Sequence, residues 1–146
     1  MSRLFDESTF YDAFTLDLRK ANKSIVIESP FLTEKRALQF SKLFHKLNKR
    51  GVSIRINTRL PFHHDKLLEI QAWKAIKILK NNGVKVYQCN DMRHRKLAVI
   101  DNCILWDGSL NILSQARSKE IMRRTNSTTL CKQMLAFTTR IQSRIW

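Results

Sequence analysis

Amphipathic segments that alternate with short β-branched runs constrain the fold of this chain more than any other feature. The clearest segment spans 33–50, where one apolar stripe is flanked mostly by lysine and arginine. A second spans 65–82 and a weaker one 8–22. Each precedes a run typical of a buried strand, and these runs are 24–28, 52–57 and 84–88. The alternation predicts an α/β fold, a sandwich with a central mixed sheet.

The second half of the chain is expected to add a β-hairpin and a tail. Residues 96–100 and 103–106 are largely apolar, and the pair Asp101-Asn102 between them favours a tight turn. From about 112 the sequence has a helical tendency, and its polar tract 123–129 is interpreted as a loop. Because no linker or repeat divides the 146 residues, one domain over 1–146 is expected.

Positive charge is the strongest signal in the composition. Lysine and arginine total 27 against 12 acidic residues, which gives a formal net charge of +15 at pH 7. Such a surface attracts polyanions, so nucleic acid or an anionic membrane is the expected partner. No apolar run approaches the roughly 18 residues that cross a bilayer, and the first residues do not resemble a signal peptide. A cytoplasmic protein is therefore expected. Of the two partners, nucleic acid is preferred, and no membrane partner is expected.

Cysteine and histidine usage argues against a metal centre or a disulfide framework. The three cysteines form no CxxC pair and read as reduced, mostly buried thiols. His63 and His64 are adjacent but lack a second pair at metal-site spacing, and we interpret them as a solvated turn before a helix. Neither a metal nor another cofactor is expected.

The segment from 94 to 111, HRKLAVIDNCILWDGSLN, carries the chemistry. His94 and Lys96 are two residues apart at the start of a predicted strand, so their side chains should point to the same side. Two such groups repel each other unless an anion lies between them, and phosphate is the obvious anion. The hairpin should return Gly108-Ser109 beside them, where Ser109 and Asn111 offer neutral hydrogen-bonding groups to phosphate oxygens.

This segment resembles the HxKxxxxDxxxxxxGSxN signature of the phospholipase D superfamily, in its single-motif bacterial nuclease branch. The match holds at every specified position, namely His94, Lys96, Asp101, Gly108, Ser109 and Asn111. The resemblance implies an α/β/α sandwich with the motif at its centre. It also suggests modules associated with helicases and with restriction or defence systems, so such a subunit is a candidate partner.

The resemblance further implies a role for each side chain. His94 would be the nucleophile that forms a phosphohistidine intermediate, in a reaction that needs no metal. Lys96 and Asn111 would hold the non-bridging oxygens, and Ser109 would hydrogen-bond the phosphate or orient a neighbour. Glu120 resembles the acidic residue that orients the histidine, although a salt bridge to a nearby arginine is an equal alternative.

Four further residues are assigned to the surroundings of the motif. Asp101 is expected to support its structure, and Gly108 to permit a close backbone approach. Arg93 and Arg95 flank His94, and either contact with a nucleic-acid backbone or simple solvation would explain them.

Superfamily sites use two such motifs, whereas this sequence contains one. A homodimer would supply the second copy across a twofold axis. The leading hypothesis is a nuclease that acts on DNA, with RNA as another possible substrate. The alternatives are a non-catalytic nucleic-acid-binding subunit and a phospholipid hydrolase or phosphatidyltransferase.

Overall fold

The computed structural model describes residues 1–114 and 117–139, together with the backbone of 143–145. A short 3₁₀ turn, Pro61–His63, separates β3 from α3. The other elements in chain order are β1 (Ser2–Asp6), α1 (Phe10–Arg19), β2 (Ser24–Glu28), α2 (Glu34–Lys49), β3 (Ser53–Arg59), α3 (Lys66–Asn81), β4 (Lys85–Cys89), β5 (Leu97–Ile100), β6 (Ile104–Gly108), β7 (Ile121–Asn126), α4 (Thr128–Thr138) and β8 (Ser143–Ile145).

Within these residues the strands form one mixed sheet of eight in the order β1-β7-β6-β5-β2-β3-β4-β8. The pairs β2–β3 and β3–β4 are parallel, and α2 and α3 provide their crossovers. The remaining pairs are antiparallel, including the β5–β6 hairpin. The expectation of a mixed sheet with helical crossovers is confirmed.

The main core lies between one face of the sheet and helices α1, α2 and α3. Trp106 of β6 is fully buried there and packs edge-on against Phe10, with ring centroids 5.1 Å apart. Its indole Nε1 donates to Asp17 Oδ2 at 2.8 Å, which satisfies the one polar group that the buried ring carries.

Helix α4 covers the opposite face of the sheet. Cys131 is fully buried against Leu97, Val99 and Leu105, with Met134 at the edge of this smaller cluster. Helices on both faces of a mixed sheet make an α/β/α sandwich, as the sequence predicted.

Two strands depart from the sequence expectations. The tract 123–129 was expected to be a loop, but its first half belongs to β7, which pairs with both β6 and β1. The helical tendency expected from 112 is confirmed only from Thr128 onward. Strand β1 was not foreseen, because Ser2–Asp6 has few apolar residues and owes its structure to pairing with β7.

In the described part of the chain, no helix has both the length and the apolar character needed to cross a bilayer.

Candidate active site

The two ends of the sequence motif meet at one end of the sheet. His94 and Lys96 lie in the irregular segment 92–96, since β5 starts at Leu97 rather than at Lys96 as expected. The carbonyl oxygen of Lys96 accepts a hydrogen bond from the Gly108 amide at 3.3 Å. This bond joins the segment that carries His94 to the end of β6, where Ser109 follows.

The His94 side chain is exposed and lies edge-on to the ring of Phe31, with centroids 6.3 Å apart. Phe31 follows β2 and also packs against His64, at 4.9 Å. His64 was expected to be solvated, but it is half-buried, and its Nε2 has no hydrogen-bond partner among the described residues. Burial lowers the pKa of His64, so this imidazole is neutral at pH 7. His63 is exposed, as expected.

Lys96 is held close to the backbone of His94. Its Nζ donates to the His94 carbonyl oxygen at 2.8 Å. Partial burial lowers the pKa of Lys96, while the charge of Glu120 acts in the opposite direction. Its ammonium group is therefore at the mouth of the site, within the electrostatic reach of a carboxylate.

Ser109 and Glu120 form a second part of the site. The Ser109 amide donates to the Ile121 carbonyl at 2.9 Å, and the Ile121 amide donates back to Ser109 Oγ at 3.0 Å. Hydrogen bonds from the Ser109 and Ser118 hydroxyls are the main causes that lower the pKa of Glu120, and Lys96 adds to them. The carboxylate is therefore ionised at neutral pH, beside the motif lysine and serine.

The resemblance implies that Glu120 orients the histidine. In the described residues, the carboxylate accepts from the Ser118 hydroxyl instead, and the ring contact of His94 is with Phe31. The structure thus brings Glu120 to the site but does not pair it with the imidazole.

Asn111 lines a cavity of about 100 Å³ with Tyr11 and Glu120. Among the described residues its Oδ1 is buried without a hydrogen-bond partner. The Tyr11 hydroxyl donates to the Ile112 carbonyl at 2.6 Å, and burial raises the pKa of Tyr11 to about 12. The side-chain oxygen of Asn111 is thus an acceptor without a partner in the described residues, whereas the phenol is neutral and already engaged.

Gly108 lies where β6 and β7 approach each other too closely for a side chain. A Cβ atom at this position would lie 2.2 Å from the Ile121 carbonyl oxygen and 2.9 Å from Met122 Cα. Both are backbone atoms, so rotation of a side chain cannot relieve the contact. The close approach predicted for Gly108 is therefore present, and it sets the position of Ser109.

Asp101 lies at the other end of β5, remote from His94. Its Oδ1 accepts backbone amides of Lys23 at 2.8 Å and Ser24 at 3.0 Å, and its Oδ2 accepts that of Asn22 at 3.0 Å. Asp101 and Asn102 both have positive φ angles, 53° and 55°, as a tight hairpin turn requires. The carboxylate fixes the start of β2 beside the hairpin.

Arg93 and Arg95 were considered for contact with a nucleic-acid backbone, and the structure gives them other partners. Arg93 has a side-chain exposure of 5% and forms ion pairs with Glu28 and Asp91. Arg95 is 41% exposed and also binds Glu28. The assignment of Arg93 to phosphate contact is therefore wrong, because its guanidinium is buried inside the protein.

Sequence reasoning missed Glu28. It ends the β-branched run 24–28, and its side chain is only 1% exposed. A carboxylate within an otherwise apolar strand was the available signal, since a buried charge needs a partner.

Metal-ligating side chains are dispersed: within residues 1–114 and 117–139, no three or more His, Cys, Asp or Glu side chains are grouped to hold a metal ion.

Comparison with known families gives a match over most of the chain. The family model described as "Cardiolipin synthase, PLD-like domain" matches residues 15–141, which is most of the chain. The chain belongs to the phospholipase D superfamily. No curated protein matches this superfamily member closely enough in sequence to count as a relative.

Solved structures agree with this assignment. The phospholipase D family member Nuc from Salmonella typhimurium superposes with a TM-score of 0.84 at 17% identity, over 100% of this chain and 97% of its own. NucT from Helicobacter pylori gives 0.78 at 18% identity, over 100% and 99%. TrmBL2, an archaeal chromatin protein that binds DNA, gives 0.62 at 14% identity, over 93% and 50%. At these identities the likeness establishes the shared fold.

Proposed function

We propose that this protein is a metal-independent phosphodiesterase that cleaves DNA through a phosphohistidine formed on His94. The observation that carries the proposal is the meeting of the motif's two ends, since the Lys96 carbonyl accepts the Gly108 amide at 3.3 Å. An exposed imidazole, an ammonium group and a serine hydroxyl are thereby grouped at one end of a rigid sheet. A rigid support of this kind suits a site that must hold a phosphodiester in line with a nucleophile.

The reaction would proceed in two displacements. An unprotonated ring nitrogen of His94 attacks phosphorus, the P–N bond forms, and the bond to the leaving oxygen breaks as that oxygen takes a proton. Water then attacks phosphorus and gives up a proton, the P–N bond breaks, and His94 is restored. Two easier steps replace one difficult displacement, which is the general advantage of a covalent intermediate.

Charge stabilisation would come from Lys96 and Asn111. The Lys96 ammonium group lies beside His94, and a phosphate oxygen is a stronger acceptor than the carbonyl to which Nζ now donates. Asn111 lines the neighbouring cavity, and its side-chain Nδ2 would donate to a second phosphate oxygen. Such donors stabilise the negative charge that builds up on phosphate in the transition state.

The proton for the leaving oxygen would come from His94 of a second copy of the chain. An exposed apolar pair, Leu4 at 66% and Ile121 at 52%, borders Ser109 on the β1–β7 edge of the sheet. Two exposed apolar side chains beside a site that contains a single motif favour a twofold contact there. The dimer would bring the two His94 residues to opposite sides of one phosphodiester.

The charge of the surface suits a polyanion, which DNA and an anionic membrane surface both provide, and DNA is the substrate that we propose. A net charge of +15 in 146 residues suits a polyanion along which many phosphates are neutralised at once. A phospholipid substrate is the first alternative. A non-catalytic DNA-binding protein is the second, but it would not need an exposed nucleophile beside a lysine. These two alternatives define the other arms of the test.

Cleavage of end-labelled single- and double-stranded DNA in excess EDTA tests the proposal, with wild type compared to His94→Ala. The matched control is His45→Ala, because His45 is an exposed histidine on α2 outside the motif. We expect wild type and His45→Ala to cleave DNA equally, and His94→Ala to bind but not cleave it.

Three results would contradict the proposal. Cleavage by His94→Ala would mean that a residue other than His94 is the nucleophile. Binding without cleavage by wild type would favour a DNA-binding role. Hydrolysis of phosphatidylglycerol vesicles with DNA left intact would favour a phospholipid substrate.

A further inference from the structure

We propose that Glu28 is a positioning residue that fixes the His94 segment through Arg93 and Arg95. This inference deepens the proposed function, because it rests on His94 as the nucleophile. Glu28 itself does not touch the reacting atoms. It lies beneath the segment, at the end of the central strand β2.

Both oxygens of the buried carboxylate accept hydrogen bonds from arginine, and Oε2 accepts from both arginines, since Arg95 Nη2 also donates to it at 3.4 Å. Arg93 Nη1 donates to Glu28 Oε2 at 2.8 Å, and Arg95 Nε donates to Glu28 Oε1 at 2.8 Å. These arginines are the immediate neighbours of His94 in the chain. A single carboxylate therefore holds the backbone on both sides of the nucleophile.

Two further residues, Asn57 and Asp91, fix the carboxylate and its inner arginine. Asn57 of β3, paired in register with Glu28, donates its Nδ2 to Glu28 Oε2 at 2.8 Å. Asp91 accepts from Arg93 Nε at 2.9 Å and from Arg93 Nη2 at 2.7 Å. Two carboxylates thus face two guanidinium groups.

Burial of this cluster restricts movement of the segment that carries His94. The Glu28 side chain is 1% exposed, so a displaced segment would leave an ionised carboxylate without its cationic partners inside the protein. Residues 92–96 lie outside the regular strands, and β5 begins only at Leu97. The ion pairs therefore take over the positioning that strand pairing provides elsewhere.

Helix α4, on the second face of the sheet, accepts hydrogen bonds from the same cluster. Arg95 Nη2 donates to the Phe137 carbonyl at 3.4 Å, and Asn57 Nδ2 donates to the Thr138 carbonyl at 3.2 Å. These carbonyls belong to the last turn of α4, where a cation is favourable. The C-terminal helix thereby supports the outer arginine.

Two variants test the proposal, each with a matched control. Glu28→Gln removes the charge but keeps the shape, and Arg95→Met removes one of the two arginines at a position that is 41% exposed. Their controls are Asp17→Asn and Arg124→Met, since Arg124 binds Asp17 through Nε at 2.8 Å and Nη2 at 3.0 Å, away from His94. Steady-state DNA cleavage, urea unfolding and amide hydrogen exchange of residues 91–96 are measured for all four.

We expect Glu28→Gln and Arg95→Met to lower kcat about tenfold to a hundredfold, with KM within about twofold of wild type, as for a misplaced nucleophile. Amide exchange in 91–96 should accelerate in both variants and not in the controls. If Glu28→Gln fails to fold, Arg95→Met alone decides the outcome.

Unchanged exchange and kcat in Arg95→Met would overturn the proposal. A raised KM at unchanged kcat would also overturn it, because Arg95 would then be a DNA contact. The exchange measurement needs no activity. If the wild type does not cleave DNA but exchange accelerates in both variants, the proposed function is refuted and the role of Glu28 in fixing residues 91–96 is retained.

Discussion

Replacement of Gly108 by alanine tests how the close packing of β6 on β7 sets the position of Ser109. The added Cβ would lie 2.2 Å from the Ile121 carbonyl oxygen, so one strand must move. The movement acts directly on the Ser109–Ile121 hydrogen bonds, at 2.9 Å and 3.0 Å. Gly108→Ala should therefore affect both stability and the site.

The size of the effect follows from these contacts. Loss of the two hydrogen bonds costs about 1 kcal/mol each. Overpacking against atoms that cannot rotate away costs about 1–3 kcal/mol more. The free energy of unfolding should therefore fall by about 3–5 kcal/mol in Gly108→Ala.

Gly51→Ala is the matched control, because it adds the same methyl group at a position where the added Cβ meets no neighbouring atom. Gly51 has φ of 90° with nothing within 4 Å of an added Cβ, so only backbone strain of about 1–2 kcal/mol applies. Urea unfolding of both variants gives the two free energies. DNA cleavage by the folded fraction should fall in Gly108→Ala and not in Gly51→Ala.

Equal destabilisation of the two variants would refute this reasoning. So would a Gly108→Ala protein with wild-type stability, since β6 and β7 would then separate without cost.

Three other predictions concern single side chains. Lys96→Met should lower kcat by about 10²–10³-fold with little change in the urea midpoint, as expected for loss of a transition-state contact; wild-type rates would contradict the role of Lys96. Arg93 holds the pKa of Asp91 below its ordinary 3.8, so the ion pair stabilises the fold above that pH and its contribution is lost as pH falls further. Urea titrations should therefore show a lower free energy of unfolding for Asp91→Asn than for wild type, and this difference should shrink below pH 3.8. A difference that is constant with pH would exclude this linkage. Burial raises the pKa of Cys89 and Cys131 to about 11 each, so mass spectrometry should find both thiols unalkylated by iodoacetamide at pH 8 until urea unfolds the chain; rapid labelling of the native protein would contradict their burial.

Local sequence pattern was sufficient to predict the helices and the central strands. Helices α2 and α3 each have one apolar stripe, and Asp65 caps α3 by accepting the Leu68 amide at 3.0 Å. The motif residues were predictable for the same reason, since their spacing within one hairpin is local.

Features that depend on distant partners were not predictable. Strand β7 is polar, and its Arg124 lies in a strand because Asp17 of α1 binds it and β1 and β6 flank it. Glu28 is 65 residues from Arg93, so nothing in either local sequence reveals their ion pair. From the sequence alone, Arg93 was therefore interpreted as a surface cation.

The central claim is that His94 forms a covalent bond to phosphorus, and the stereochemical course of cleavage tests it most directly. DNA with one phosphorothioate linkage of defined configuration is cleaved in ¹⁸O-labelled water, and the configuration of the product is determined. Two successive displacements predict retention of configuration at phosphorus. Inversion would mean that water attacks the phosphodiester directly, and the phosphohistidine account would be wrong.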